Sequence, residues 1–253
     1  MHGAAETPVA LVTGSGRRRV GHVVARALGQ RGYRLVIHYH RSGDEAFRAR
    51  DDFQQAGVEC IALQADVSRE EEVDRLFDQL LAHYGRLDVA VTTSSTWDSQ
   101  TLEELTAEDV RRSFEVNTLG TLLCCRRAGL VMAGQPQGGA IITLGDWAIK
   151  RPYRNYLAYF TAKGALPTLT RALAVELAAR NPRVRVNCIH PGPVMFPAEM
   201  SAAERQETIA ATLVQQADCP ESVARAVEFF IDSQFVTGVC LPVDGGRTIF
   251  APG

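Results

Sequence analysis

The fold follows from one stretch near the start of the chain, Val9-Ala-Leu-Val-Thr13-Gly14-Ser-Gly16-Arg-Arg-Arg19-Val20-Gly21. Its first five residues form an apolar run typical of a buried strand, and a helical pattern follows the glycines to about Arg31. In a strand–loop–helix unit, glycines let the backbone come close to a pyrophosphate held at the helix N-terminus. The stretch therefore predicts a dinucleotide-binding unit, although a plain glycine-rich turn would have the same composition.

Apolar runs recur along the chain and alternate with helical patterns. After Val9–Thr13 they span residues 35–40, 60–66, 87–92, 140–144, 184–189 and 238–243. Strands that alternate with helices build a parallel sheet covered on both faces. The sequence therefore predicts an α/β fold: a Rossmann-type doubly wound parallel seven-stranded sheet in a single domain, residues 1–253. Ligands of such sheets bind at the carboxyl ends of the strands.

The composition excludes several classes of function. The 253 residues carry a formal net charge of −2, so no overall field attracts the chain to nucleic acid or to an anionic membrane. No apolar run reaches membrane-spanning length, and the N-terminus lacks the basic and apolar segments of a signal peptide. The six cysteines show no CxxC pair and no disulfide-rich spacing. We therefore expect a cytoplasmic protein with reduced thiols and a small-molecule substrate.

Tyr159 and Lys163 lie four residues apart in the helical pattern of residues 158–180, so both face the same side of a helix. A nearby ammonium stabilises a phenolate, which lowers the pKa of a tyrosine from about 10 towards neutrality. Tyr159 would then be a general acid usable near pH 7. In isolation the pair would more simply be a half-buried tyrosine beside a lysine whose stem covers apolar surface. Its position after a nucleotide loop favours the catalytic interpretation.

A resemblance that covers the whole chain is carried by the glycine loop, by Tyr159-x-x-x-Lys163 and by the string His38-Tyr39-His40-Arg41-Ser42. The sequence resembles the short-chain dehydrogenase/reductase family and, within it, is most similar to pteridine reductases. The resemblance implies an NADP(H)-dependent oxidoreductase that assembles as a homo-oligomer, a homotetramer by the family's example.

Two segments depart from the family pattern. The glycine loop has one residue more between Gly14 and Gly21 than the family's Thr-Gly-x-x-x-Gly-x-Gly, and Arg19 stands where the middle glycine is expected. The string Thr92-Thr93-Ser94-Ser95 replaces the family's Asn-Asn-Ala-Gly. We expect its hydroxyls to replace amide hydrogen bonds.

The cofactor prediction depends on the end of the second strand. NAD-selective Rossmann proteins place an acidic residue there for the ribose 2′-hydroxyl. Here Arg41 and Ser42 offer a charge and a donor, which suits the 2′-phosphate of NADP. With the resemblance, the predicted cofactor contacts are Gly14, Gly16, Arg18, Arg19, Val20, Gly21, His40, Arg41, Ser42, Asp66, Val67, Thr93, Ser94, Tyr159, Lys163, Pro191, Gly192 and Val194. His38 and His40 could instead be a metal pair, but no third ligand is in view, so we predict no metal.

The resemblance assigns further roles. Asp66 would accept from the adenine amine, Lys163 would also bind the nicotinamide ribose, and the turn at Pro191 would support the carboxamide. Asn117 would kink its helix and hold a relay water, since asparagine is a poor interior helix residue.

Substrate contacts are expected from Ser95 and Trp97. The indole of Trp97 would stack on a pterin, although an apolar plug at the sheet edge is an open alternative. A mobile segment at residues 195–219 would cover the substrate.

Asp146 is the informative departure, because it stands thirteen positions before Tyr159, where the wider family has its catalytic serine. A carboxylate would oppose a forming alkoxide but would favour a substrate nitrogen that gains a proton. We therefore predict reduction of a pterin C=N bond by Asp146, Tyr159, Lys163 and Asn117. Two other functions stay open: a carbonyl reductase of the 3-oxoacyl thioester, sugar or quinone type, and a non-catalytic nucleotide-binding regulator. Asp146 could also merely cap the loop after the strand.

Three local signals concern helix ends. The strings Ser68-Arg-Glu-Glu71 and Thr106-Ala-Glu-Asp109 each predict a capping box at the start of a helix. Pro167 falls inside the helix predicted for residues 158–180, where it should cause a kink.

Overall fold

The computed structural model describes residues 7–250, and among these seven parallel strands form one sheet. The strands are β1 (Val9–Thr13), β2 (Arg34–Tyr39), β3 (Cys60–Gln64), β4 (Val89–Thr92), β5 (Gly139–Leu144), β6 (Val184–Pro191) and β7 (Cys240–Val243). Their spatial order is β3-β2-β1-β4-β5-β6-β7. The predicted doubly wound, Rossmann-type sheet in a single domain is confirmed.

Helices cover both faces of the sheet. They are α1 (Val20–Gln30), α2 (Gly43–Gln55), α3 (Glu70–Tyr84), α4 (Ala107–Phe114), α5 (Gly120–Ala133), α6 (Leu157–Gly164), α7 (Leu166–Ala178), α8 (Ala202–Ala210) and α9 (Glu221–Asp232). One apolar cluster lies between the sheet and α3, α5 and α7, and a second lies between the sheet and α1, α2 and α9. All five residues of β1 are buried, and all but Thr13 are apolar. This is expected because a strand covered on both faces consists of a nearly continuous apolar run. No helix within residues 7–250 is long and apolar enough to cross a membrane.

The helix predicted around Asn117 is interrupted at that residue. A π-helical turn, Glu115–Leu119, separates α4 from α5 and contains Asn117, which is fully buried. Asparagine is unfavourable inside a helix because its amide competes for backbone groups, and turns of this kind frequently occur at functional sites. At the position of the predicted kink the structure thus has a π-helical turn.

The helix predicted for residues 158–180 is two helices, α6 and α7, which meet at Ala165. Pro167 is the second residue of α7, where a missing N–H breaks no intrahelical bond. The first backbone bond of α7 runs from the Leu169 amide to the Ala165 carbonyl, 3.0 Å. The proline therefore lies at a helix start and not, as predicted, inside a kinked helix.

One of the two predicted capping boxes is confirmed and the other is wrong. Thr106 and Asp109 form the reciprocal capping box at the start of α4. The box predicted at residues 68–71 is wrong, because α3 begins at Glu70 and the Ser68 hydroxyl instead donates to Asp66 Oδ1, 2.7 Å. A capping box that the sequence analysis missed, Ser201 with Glu204, begins α8 inside the segment 195–219.

The carboxyl ends of β1, β4 and β5 lie level with one another. Thr13 of β1 pairs with Thr92 of β4, which pairs with Thr143 of β5. The strand order reverses between β1 and β4, and ligands of open α/β sheets bind in the crevice at such a switch point. The loops that leave these three strands therefore meet there.

Candidate active site

The central contact of the site joins Asp146 and Tyr159. Asp146 follows β5, and its Oδ1 accepts from the Ala148 amide at 2.7 Å, which starts a short 3₁₀ turn. Its second oxygen, Oδ2, accepts from the Tyr159 hydroxyl on α6 at 2.8 Å. The carboxylate is thus a cap, as the simpler interpretation had it, and also a partner of the phenol.

This contact sets the protonation of both groups. Burial raises the pKa of Asp146 above its usual value, against the opposing effect of its hydrogen bonds. Burial and the neighbouring carboxylate raise the pKa of Tyr159 well above 10. The direction differs from the lowering predicted from the Tyr159–Lys163 spacing, because burial disfavours the phenolate and the neighbouring carboxylate of Asp146 repels it. The phenol therefore holds its proton and donates it in a hydrogen bond to Asp146.

Lys163 lies beneath this pair and is 3% exposed. Its Nζ donates to the Leu144 carbonyl at the end of β5, 2.8 Å, and lies 5.9 Å from the centroid of the Tyr159 ring. Burial lowers the pKa of Lys163 to about 8, while the charge of Asp146 acts in the opposite direction. The ammonium and the carboxylate thus offset each other within one desolvated site.

Asn117 uses its side-chain amide to anchor the loop after β4. Its Oδ1 accepts from the Ser95 hydroxyl at 2.7 Å and from the Thr96 amide at 3.1 Å. Its Nδ2 donates to the Thr96 carbonyl and to the Ser113 hydroxyl, both at 3.1 Å. The Ser95 hydroxyl also lies within hydrogen-bonding reach of Tyr159, whose pKa it lowers slightly against the larger effects of burial and Asp146. A polar chain therefore connects Asn117, Ser95, Tyr159 and Asp146.

An aromatic platform, formed by Trp97, Tyr153, Tyr156 and Phe160, borders this chain. Trp97 is 49% exposed and stacks on Tyr156 with a centroid distance of 4.7 Å and an interplanar angle of 13°. Tyr153 packs edge-on against Tyr156 at 5.2 Å and against Phe160 at 4.8 Å. One face of the indole is thus covered, and the ring is still exposed enough to contact a flat ligand. Of this set the sequence analysis singled out only Trp97.

The glycines of the β1–α1 loop are required by close packing. Gly14 has φ +66°, and a Cβ there would lie 3.0 Å from Ser94 Cα. A Cβ on Gly16 would lie 2.7 Å from that of Ala46, and one on Gly21 would overlap the Thr93 hydroxyl. With no side-chain cap on α1, its N-terminal amides are available to an anion.

The string that replaces Asn-Asn-Ala-Gly makes hydrogen bonds of the expected kind. The Thr93 hydroxyl donates to the Thr13 carbonyl. The amides of Thr93 and Ser94 donate to the Thr13 hydroxyl at 3.0 Å and 3.2 Å. Thr13, which the sequence analysis did not select, is the shared partner. The Ser94 hydroxyl is buried without a hydrogen-bond partner among the described residues, and it faces the glycine loop.

His38 fixes the glycine loop to the sheet. Its Nδ1 accepts from the Gly14 amide at 3.0 Å, and its Nε2 lies 2.9 Å from the Ala65 carbonyl, so the ring proton resides on Nε2. Burial lowers the pKa of His38 to about 4. Both ring nitrogens are thereby occupied, whereas His40 is exposed with its Nε2 3.7 Å from Asp66 Oδ2. The two histidines have separate surroundings and do not converge as a metal pair would.

The ends of β2 and β3 carry the residues predicted for the adenosine half of a dinucleotide. Arg41 is exposed, no acidic side chain within residues 7–250 pairs with it, and Ser42 stands at the N-terminus of α2. Asp66 Oδ1 accepts from the amide and hydroxyl of Ser68. These bonds lower the pKa of Asp66, although its burial acts the other way. Arg18 and Arg19 are exposed on the adjoining loop.

The remaining predicted contacts lie at two other places. Val67 is 5% exposed and packs directly under Gly120 of α5. At the end of β6, the Gly192 amide donates to the Val243 carbonyl at 2.9 Å, and Val194 is buried. The predicted residues thus form one group at β4–β6 and another at β2–β3, joined by the glycine loop.

Comparisons with known proteins agree with this geometry. Residues 15–248 match the family model described as Enoyl-(Acyl carrier protein) reductase. Elsinochrome reductase 1 of Elsinoe fawcettii is 34% identical over 254 residues, which cover 94% of this chain and 93% of that protein. The chain belongs to the short-chain dehydrogenase/reductase family. It is an oxidoreductase of that family, whereas the particular similarity to pteridine reductases stays a prediction.

Solved structures with 27–28% sequence identity show the same architecture. Acetoin dehydrogenase from Enterobacter cloacae superposes with a TM-score of 0.87 at 27% identity, covering 98% of each chain. A blue fluorescent protein from a metagenomic library, solved in complex with NADPH, superposes with a TM-score of 0.85 at 28% identity. The match covers 95% of this chain and 97% of that one.

Proposed function

We propose that the chain is an NADPH-dependent reductase that reduces a C=N bond of a pterin-class substrate. The observation that carries the proposal is the 2.8 Å hydrogen bond between Tyr159 and the Asp146 carboxyl, at the position where the wider family has a serine hydroxyl. An ionised carboxyl beside the reacting atoms disfavours a forming alkoxide. It favours a substrate nitrogen that acquires a proton.

The residues present fit a nicotinamide dinucleotide. The uncapped N-terminus of α1 suits the pyrophosphate, and the unpartnered Ser94 hydroxyl lies beside the glycine loop. Lys163 would hold the nicotinamide ribose, and the turn after Pro191 would support the carboxamide. When bound, the reduced dinucleotide supplies the hydride.

The proton would come from the Asp146–Tyr159 pair. Tyr159 presents the hydroxyl, and Asp146 orients it through Oδ2 while its own Oδ1 is fixed by the Ala148 amide. Lys163 offsets the negative charge left on the pair. The backbone of Asn117, in its π-helical turn, would hold a water molecule that supplies a new proton to the Asp146–Tyr159 pair.

Selectivity for NADPH over NADH is expected from the end of β2. Arg41 is exposed and has no acidic partner among the described residues, so it is free to pair with a 2′-phosphate. No carboxylate stands at the end of β2 to bind a 2′-hydroxyl.

A flat substrate is expected from the aromatic platform. Trp97 is braced by Tyr156 at 4.7 Å, so the indole is already ordered for stacking on a heterocycle. The Ser95 hydroxyl, between Asn117 and Tyr159, would contact the polar edge of the substrate. Residues 195–219, which include α8, would cover it.

Carbonyl reduction is the second candidate. A protonated Asp146 can donate to a carbonyl oxygen, and burial raises its pKa in that direction. The names of elsinochrome reductase 1 and acetoin dehydrogenase also point to oxygen-bearing substrates for those proteins.

The experiment that separates the two candidates is a turnover assay with NADPH against pterins, quinones, 3-oxoacyl thioesters and sugars. The proposal requires that a pterin be the fastest substrate. Faster turnover of a carbonyl compound would assign the second candidate and would leave the reductase class intact. A cytoplasmic location and a homotetrameric assembly stay predictions, the latter to be measured by light scattering.

A further inference from the structure

Three side chains with metal-binding atoms converge between β6 and β7, outside the groups assigned to the reductase. Successive side chains of a strand point to opposite faces, so Cys188 and His190 of β6 share one face. Cys240 of β7 pairs directly with Cys188 in the sheet register. One ligand atom from each residue lies within 4.8 Å of the other two.

The imidazole of His190 has an unused nitrogen within this cluster. His190 is 4% exposed, and its Nε2 has no hydrogen-bond partner among the described residues. Buried polar atoms are nearly always hydrogen-bonded, so an isolated one calls for a ligand or a function. A Cβ on Gly145 would lie 3.0 Å from Nε2 and 3.2 Å from Cys188 Sγ. A side chain at position 145 would therefore crowd both atoms, and glycine keeps this side of the cluster free of one.

We propose that Cys188, His190 and Cys240 form a binding site for a thiophilic divalent cation, with Zn²⁺ as its ion. Two sulfurs and one imidazole nitrogen are a donor set that zinc prefers, whereas calcium and magnesium require oxygen ligands. Zn–S bonds of about 2.3 Å and Zn–N bonds of about 2.0 Å place tetrahedral ligands roughly 3.5–4 Å apart. Atoms already within 4.8 Å need only a small inward movement.

The site has an entry path and a structural consequence. Cys240 is partly exposed, while Cys188 is fully buried, so the cation would enter from the side of β7, and water would take the fourth position. Among the strands of residues 7–250, the four-residue β7 is at the edge of the sheet and pairs with β6. A bound cation would therefore fasten this edge strand to the sheet. Because the Gly145 amide donates to the Ile189 carbonyl at 2.8 Å, the turn that carries Asp146 adjoins the site.

The test uses the full chain, freed of metal with a chelator and kept in a reductant. Titration with Co²⁺, a spectroscopic substitute for Zn²⁺, should produce a thiolate-to-cobalt charge-transfer band that saturates at one ion per chain and disappears when Zn²⁺ is added. Zn²⁺ should also raise the thermal unfolding midpoint, because it binds the folded state.

The variants locate the ligands. Cys240→Ser, at the partly exposed position, should abolish the cobalt–thiolate band or weaken Zn²⁺ binding by more than the roughly 10–100-fold that loss of an outer-shell partner costs. His190→Gln should also weaken binding. Cys219→Ser, at a cysteine outside the cluster, is the matched control and should bind as the unmodified chain does.

Each variant is compared without metal first, so that a general loss of stability is separated from a loss of binding. Equal Co²⁺ spectra in the unmodified chain and in Cys240→Ser would overturn the proposal. So would the absence of any thiolate band in the unmodified chain, or a Cys188–Cys240 disulfide that persists in reductant.

Discussion

Protonation of His38 should destabilise the folded chain in mild acid. The folded-state pKa of about 4 lies below the ordinary value of 6.5, because burial disfavours the charged ring. The neutral ring accepts from the Gly14 amide through Nδ1. The neutral ring therefore makes its full contribution to the free energy of unfolding above about pH 6.5, and this contribution is lost as the pH falls through about 4.

The size of the effect follows from the two pKa values. A pKa difference of about 2.5 units at about 1.4 kcal/mol per unit corresponds to about 3.5 kcal/mol in full. About 2 kcal/mol of this should already be lost between pH 7 and pH 4.5, where the unfolded chain binds the proton and the folded chain does not. That is a large share of the 5–15 kcal/mol that stabilises a typical domain.

Urea unfolding at pH 7 and pH 4.5 measures the loss, and His38→Gln is the control. Glutamine does not titrate, while the carboxylates, which also titrate in this range, are common to both chains. The unmodified chain should lose about 2 kcal/mol more than His38→Gln over the interval. If both chains lose the same free energy, the assignment of His38 as a buried neutral anchor of the glycine loop is refuted.

The other predictions concern catalysis and specificity. Arg41→Asp should move cofactor preference from NADPH towards NADH, measured as the ratio of kcat/KM values; an unchanged ratio contradicts the 2′-phosphate assignment. Tyr159→Phe should abolish turnover yet retain NADPH binding by fluorescence, whereas Lys163→Ala should impair both; normal turnover in the phenylalanine variant would end the assignment of the acid. Asp146→Asn should lower the rate of pterin reduction about 100-fold or more. Asp146→Ser should raise the rate of ketone reduction relative to that of pterin reduction. Trp97→Ala should weaken pterin binding by roughly 1–3 kcal/mol in titration calorimetry; an unchanged Kd would rule out stacking.

The strands were predictable because the sheet is buried on both faces. All seven apolar runs of the sequence have both ends within two residues of the observed strands, since a strand covered on both faces favours apolar side chains at successive positions. The glycine loop was predictable for a different reason, because Gly14 has φ +66° and a Cβ there would lie 3.0 Å from Ser94 Cα.

Features that depend on distant contacts were not predictable. The raised pKa of Tyr159 comes from its burial and from Asp146, whose side-chain orientation no spacing rule fixes. Ser68 was expected to cap a helix, but Asp66 nearby competes for its hydroxyl. The cluster at Cys188 was invisible in the sequence, because Cys240 reaches it only through the β6–β7 register.

The charges of the site explain why a carboxyl at position 146 is tolerated. Desolvation disfavours the ionised forms of both Asp146 and Lys163, raising the pKa of one and lowering that of the other, while each charge counteracts the shift of its neighbour. A serine at this position would leave Lys163 as an uncompensated buried cation, to be balanced by the phenolate of Tyr159. With Asp146 present, the compensating negative charge is on the carboxyl, so Tyr159 keeps its proton. In the proposed reaction, the substitution would thus move the resting negative charge from the phenol to the carboxyl and would leave the phenol protonated for transfer to a basic nitrogen.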